Sequence, residues 1–576
     1  MAAVHTEAIG GQGQQAVAGY FDLGGYTRPV TTSSPQAQTW FTRGLIWTYS
    51  FNHEEAVRCF ERAIENDPDC ALAHWGLAYA LGPNYNKPWE SFDPVDLSRT
   101  VSRAFAASAQ AARRAQATGA GRTGPADGVE RALVRALAAR YPSAEPAADC
   151  SAWNAGYADA MRQVHRQYPD DLDVAALFAD ALMNLTPWAL WDQATGEPAQ
   201  GAATIEAKEV LERALTSDGG RSHPGVLHMY IHLMEMSARP QEALPAGDLL
   251  RDLVPDAGHL RHMPTHIDVL CGDYRRVVSA NTAAIAADEK FVARAGAMNF
   301  YTLYRAHNYH FKIYGAMFLG HAQAALEAAG QLAAAIPQDL LRVEIPPMAD
   351  WLEGFVPMRM HALIRFGRWQ EIIEAPLPDD PGLYCVTTAM MHYAKGVACA
   401  ATGQIAQAQE QRGQLAAAAR RVPDSRTVFN NTCTDILAVA AAMLDGELEY
   451  RKGNHDEAFA HLRRSIELDD GLAYDEPWGW MQPARHAYGA LLLEQDRVEE
   501  AEAVYRADLG LDGTLARACQ HPGNVWSLHG YHECLTRLGK PEQAAIIAQQ
   551  LAFAGAYADV PIRSSCFCRL TRCAPG

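Results

Sequence analysis

Positive charge is scarce in this chain: 49 lysines and arginines stand against 67 aspartates and glutamates, a formal net charge of −18. Nucleic acid and anionic membrane surfaces repel such a protein, and no basic stripe with interleaved aromatics offsets the balance. Neither kind of partner is expected. Long apolar runs are missing too; none approaches the roughly 20 residues that cross a bilayer. Residues 1–15 lack the basic-then-apolar pattern of a secretory signal. The 12 cysteines are scattered and form no dense framework, which predicts free thiols in a reducing compartment. A cytoplasmic location is therefore expected. Three catalytic signatures are absent: a glycine-rich phosphate loop, a G-x-S-x-G elbow and an H-E-x-x-H motif. Alternating β-branched runs are rare, so a sheet-based fold is excluded.

What the chain does have is helical periodicity that repeats. Its 576 residues are 49% hydrophobic and 20% charged, a globular balance with enough apolar surface for a large core. From Trp40 onward, Gly44, Ala56, Phe60, Ala63 and Pro68 occupy small, small, aromatic, small and proline positions, and His74 follows Trp40 by 34 residues. This pattern closely resembles the tetratricopeptide repeat (TPR) family, here as a large stand-alone member. The small residues let two helices approach, the aromatic fills the gap, and the proline ends the second helix. Asn454-His455-Asp456-Glu457-Ala458 echoes Asn52-His53-Glu54-Glu55-Ala56, and a further second-helix start runs from Arg497 to Tyr505. Turn signals stand at Gly272, Gly320, Gly367, Gly403, Gly453 and Gly539.

The resemblance implies an all-α solenoid, a superhelix of helix-turn-helix repeats whose first helices line a concave wall. Residues 1–34 are expected as an N-terminal tail, 35–555 as one continuous array, and 556–576 as a C-terminal tail. A Gly/Ala-rich linker is expected at 117–128, and residues 84–94 are too rich in turn formers to be helical. Ser34 and Pro35 form an N-cap and first-turn pair for the opening helix.

Histidine is concentrated in one place. Eight of the 21 histidines lie between His223 and His310. His228 and His232 are four apart, hence on one helix face, and so are His262 and His266. The second pair follows the first by 34 residues, one repeat period, so the rings should meet between neighbouring first helices about 8–10 Å apart. His310 precedes Gly320 by the same interval that separates His262 from Gly272, and His307 lies one helical turn earlier. Neutral imidazoles bind copper, zinc, iron and nickel. Six of them, His228, His232, His262, His266, His307 and His310, could hold two ions at three histidines each. By ligand type alone this set resembles that of type 3 dicopper proteins, which have a different fold. Glu235 and Asp268 are candidate acceptors that orient the rings.

The expected function is a metal-dependent, copper-favouring oxidase or oxygenase acting on a small organic molecule or peptide in the groove; zinc or iron would also suit the site. Tyr230, Tyr304 and Glu235 are its candidate catalytic residues, with Tyr314 beside them. Trp478, Trp480, Arg485 and His486 are candidates for a substrate-binding rim, against the alternative that the tryptophans are packing wedges. His521 and Trp526 are candidates for the far end of the groove, with Asn524 as an ordinary helix cap. Cys566, Cys568 and Cys573 are expected as free thiols rather than as half of a soft-metal site. Two other readings remain open: a zinc-dependent hydrolase on the same histidines, and a TPR scaffold that binds partner peptides without catalysis. Oligomeric state is not legible in the sequence.

Overall fold

A computed structural model describes residues 19–116 and 128–570. Almost every element in them is a helix; among the described residues the single sheet is a hairpin pairing Thr427–Val428 with Asn431–Thr432. The opening repeat shows why. Ser34 Oγ accepts from the Ala37 amide at 3.2 Å and Pro35 begins the helix Pro35–Tyr49. Asn52 Oδ1 caps the helix His53–Asn66 through the Glu55 amide at 3.3 Å. The ring of Phe60 is wedged between the first helix and the helix Ala71–Leu81. A methyl group at Gly44 or Gly76 would meet it at 2.7 or 2.3 Å. Only glycine fits, which is the physical content of the small-aromatic-small pattern.

The same device closes the far end of the array. Tyr505, on the helix Val498–Asp508, is wedged between Gly489 and Gly530, where an added methyl would meet its ring at 2.6 and 2.2 Å. Between the two wedges the helix pairs turn at Gly272, Gly320, Gly367, Gly403 and Gly453, and beyond the second at Gly539. All six have a left-handed backbone with φ between 63° and 87°, the region that glycine enters at little cost. The turn-rich stretch after the third helix holds no α-helix before Pro94: Asn84 pairs with Lys87, and a short 3-10 helix at Trp89–Ser91, which the turn-rich reading did not include, precedes the helix Pro94–Gln116. The expected linker at 117–128 falls outside the described residues except for Gly128, which opens the helix Gly128–Leu137.

Three features differ from an open solenoid with free tails. First, residues 19–34 are packed down: Phe21 stacks edge-on against Trp47, and Arg28 pairs with Asp171 and Asp173. Second, residues 556–570 form a strap. Asp559 accepts from the Ala322 and Gln323 amides, and Ser565 Oγ bonds Tyr505 and the His486 carbonyl. Third, the concave side is filled. The helix Pro35–Tyr49 packs on Pro224–Glu235, and Trp526 Nε1 donates to the Met317 carbonyl at 2.7 Å, so the two ends of the array close on its middle. The helix Pro224–Glu235 is buried at every position. That closure turns an inner wall into an interior.

Candidate metal centre and its cavity

The interior is where the histidines meet. Three helical segments deliver them: Pro224–Glu235, the pair Gly258–His262 and Pro264–Leu270 interrupted at Met263, and Thr302–Leu319. His228, His232 and His259 form one trio and His262, His266 and His307 a second. In each trio one nitrogen from every ring lies within 4.8 Å of the others. The trios adjoin, with His232–His266 and His259–His262 ring centroids 5.7 and 6.0 Å apart.

Neighbouring acceptors fix the tautomers. His228 Nδ1 donates to the Tyr49 carbonyl at 2.6 Å, and His232 Nδ1 donates to Glu235 Oε1 at 2.9 Å. Both Nε2 atoms are left buried without a hydrogen-bond partner, as are both nitrogens of His259. In the second trio His262 Nδ1 donates to Asn281 Oδ1 at 2.7 Å; the amide is oriented because its Nδ2 donates to the Val277 carbonyl. His266 Nδ1 shares a hydrogen bond with Glu235 Oε2 at 2.6 Å. His262 Nε2 and His266 Nε2 face each other at hydrogen-bond distance, 2.7 Å, with His307 Nε2 3.4 Å from His266 Nε2. Two bare lone pairs would repel at this distance, and either a single N–H between the rings or a cation among them relieves it. Glu235 thus bridges the trios, one oxygen to each, in the carboxylate–imidazole arrangement that orients metal-bound histidines.

Burial holds the rings neutral. It pushes His232 and His262 down to about 3, and His228, His259, His266 and His307 well below their ordinary range, with neighbouring imidazoles adding to the effect in those four. A neutral ring keeps the lone pair that a metal needs. Burial drives Glu235 the other way, well above the usual carboxylate range.

Three aromatics enclose the cluster, and all three have a strained backbone. Phe51 lies 4.6 and 5.6 Å from the His228 and His232 rings, Trp188 6.1 Å from His232, and Phe429 4.7 Å from His307. Their φ angles are 54°, 60° and 47°; the fourth positive-φ non-glycine residue among the described residues is Asp496. Phe51 occupies a turn that glycine occupies in six other repeats, and Phe429 takes the first turn position of the hairpin, where glycine is favoured in a type II′ turn. A side chain in this region costs about 1–2 kcal/mol, and such strain collects at functional sites. Trp188 and Phe429 also wall a cavity of about 280 Å³, in which His266 and His307 form part of the lining.

Several expected site residues lie elsewhere. His310 is not in the cluster: its Nε2 points to Met481 Sδ at 2.8 Å and its ring packs on Phe355. His259 takes its place. It stands three residues before His262 on the same helix, a spacing that the 34-residue ladder passes over because the equivalent position one repeat earlier is Gly225. Tyr230 points away, its hydroxyl donating to Glu212 at 3.2 Å, and Tyr314 stacks on Phe318. Asp268 pairs with Arg251 and orients no ring. Tyr304 is at the site, 5.0 Å from the His259 ring with its buried hydroxyl unpartnered.

The proposed rim is a packing wedge instead. Trp478 Nε1 donates to Asp469, Trp480 is buried against His361 and Tyr393, and Arg485 pairs with Asp470. His486 shares Asp508 with His521, Asn524 and Ser527. Burial raises Asp508, but the two histidines more than offset this and hold it well below the carboxylate range. Asn524 caps its helix, and Cys566 and Cys568 are joined as a disulfide rather than free; Cys573 lies outside the described residues. What reaches the cavity from this segment is Asp475 and Glu476, just before the tryptophans.

Comparison with known proteins supports the repeat and is silent on the centre. The tetratricopeptide repeat model matches residues 37–70. No curated protein matches the chain. Among solved structures, the APC/C hetero-tetramer Cut9-Hcn1 is similar at 12% identity over 87% of this chain and 76% of that one, with a TM-score of 0.30. Yeast Tom70 is similar at 11% identity over 90% and 92%, TM-score 0.24. These superpositions are too loose to carry an argument, so the architecture stands on the helices themselves. No helix among the described residues is long and apolar enough to cross a membrane. With its glycine-flanked aromatic wedges and left-handed glycine turns, the chain is an α-helical repeat protein that carries a tetratricopeptide repeat at residues 37–70.

Proposed function

We propose that this chain is a tetratricopeptide-type binding scaffold whose closed interior holds a two-ion metal centre at the floor of its ligand cavity. One observation carries the reading: six buried, neutral imidazoles converge as two adjoining trios, bridged by Glu235, with bare nitrogens turned inward. An all-imidazole set favours copper among the available metals, with zinc and iron accommodated. Bound copper would supply one-electron and dioxygen chemistry to a small organic molecule or peptide in the cavity.

The chain's own residues have separate parts in this scheme. Tyr49 and Asn281 set the tautomers of His228 and His262; Glu235 orients His232 and His266 together. Phe51 and Trp188 keep water from the first trio. His266 and His307 present the second trio to the cavity, with Tyr304 at its edge. Elemental analysis of untagged protein after equilibration with Cu(II), Zn(II) or Fe(II) tests the centre. About two equivalents per chain are expected; less than about one after reconstitution sinks it.

A second reading follows from the repeat match alone. Repeats of this type commonly bind partner peptides, and a scaffold with a purely structural histidine core would need neither metal nor catalysis. The family match favours this reading over an oxidase, whereas the donor geometry favours the metal. Chelation separates them: a structural core keeps its melting temperature when EDTA is added, and a metal centre loses several degrees.

A further inference from the structure

The cavity beside the second trio has a chemical character of its own. Its walls are aromatic, with Trp188, Phe300, Trp351 and Phe429 facing the same space of about 280 Å³. Its polar end carries carboxyl groups: Asp475 and Glu476 are buried there, 4% and 3% exposed, where burial and neighbouring carboxyl groups favour their neutral forms until a cation arrives, and Glu90 stands at the rim. No lysine or arginine is among the residues that line it. Lys87, beside Asn86 of the lining, sits over the Phe300 ring and is tied to Asp96 on the wall of the neighbouring cavity.

Glu476 sharpens the point. Its Oε2 lies 3.7 Å from His266 Nδ1, across from Glu235, while its Oε1 is buried without a hydrogen-bond partner. Glu476 also shares side-chain hydrogen bonds with Glu235 and Tyr474, and it is one of the two carboxyl residues in the cavity lining that are buried. Carboxyl groups at one end and electron-rich ring faces around the rest form the recognition pattern for an organic cation. The volume is near the lower end of small-molecule pockets, which start at about 300 Å³.

We infer that this cavity receives an organic ammonium group, a protonated amine on an aromatic or apolar body, with its charged head at Asp475 and Glu476 and its body against the aromatic walls. The inference deepens the reading of the cavity as the ligand site above His266 and His307, and it needs no metal to be tested. The amine could be a free molecule or a lysine side chain; the two share this chemistry.

Calorimetry on chelator-treated, folded protein decides it. Tryptamine is compared with tryptophol and indole-3-acetate, which keep the indole and exchange the ammonium for a hydroxyl or a carboxylate; N-acetyl-lysine methylamide represents the peptide source. At least one of the two amines binds, about tenfold or more tighter than tryptophol, and the acid shows no binding. Trp351→Ala, on the half-exposed wall away from the histidines, weakens that amine about tenfold with the helical circular dichroism spectrum unchanged. Asp475→Asn gives a loss of similar size. Equal binding of the alcohol or the acid, or no binding of either amine, overturns the inference. Failure of metal uptake, measured separately, would remove the centre and leave amine binding as it is.

Discussion

The two histidine trios are built from the same donors yet have different access. His228, His232 and His259 are sealed: Phe51 stacks over His232 and His259, and Tyr85 and Trp188 cover His232 from the other side. Of the second trio, His266 and His307 are in the cavity wall. Donor chemistry is therefore shared, and the surroundings assign the roles. A closed set of ligands suits a site that holds an ion in place, and an open face suits a site that meets a ligand.

The largest expected effect separates the trios outright. On metal reconstitution, His266→Ala is expected to take up about one equivalent less than the parent protein and to lose the spectral response to ligands in the cavity. His228→Ala lowers metal content by about one equivalent and leaves the second trio's ligand-responsive spectrum in place. If both variants lost both ions together, the trios would be one cooperative unit. Next comes the bridge: Glu235→Gln weakens metal binding at both trios by about 10–100-fold, measured by competition with a chromophoric chelator. An effect confined to one trio would break the symmetry assigned to that carboxylate.

The seal itself can be opened. Phe51→Gly relieves about 1 kcal/mol of backbone strain but removes a buried ring worth about 3–5 kcal/mol. A net loss of about 2–4 kcal/mol in urea unfolding is expected, together with azide-induced spectral changes at the first trio that the parent protein lacks.

Acid acts on both trios. His232 and His262 are held near 3 in the folded chain by burial but titrate near 6.5 when unfolded. The unfolded state therefore binds more protons as pH falls from about 6.5 towards 3. Each such histidine removes up to about 1.4 kcal/mol of stability per pH unit in that window. Unfolding of metal-free protein as a function of pH reads the slope. The smallest effect belongs to the control: His310→Ala leaves metal content unchanged, because that ring faces Met481.

Much of the architecture could be read from residues alone. Gly44, Phe60 and the turn glycines announce helix pairs because each satisfies a local steric demand, a ring that needs space or a backbone that must turn left-handed. The pairs 228/232 and 262/266 could also be read, since four-residue spacing fixes one face. His259 was hidden because its relation to His228 crosses from one helix to another without repeat periodicity. Phe51, Trp188 and Phe429 were hidden for a related reason. Nothing in their local sequence distinguishes an aromatic that forms a seal from one that fills an ordinary core, and the left-handed backbone runs against their intrinsic preference.

By itself the sequence determined which segments are helices, where they turn and that imidazoles would crowd the middle of the array, since these follow from interactions within a few residues or one repeat. Tertiary closure alone decided which imidazoles share a nitrogen-lined space, that Glu235 spans both trios, and that Asp475 and Glu476 reach a cavity beside them. The reason is distance along the chain: His266 and Glu235 meet across one repeat, but Glu476 reaches them only because later repeats fold back on the centre.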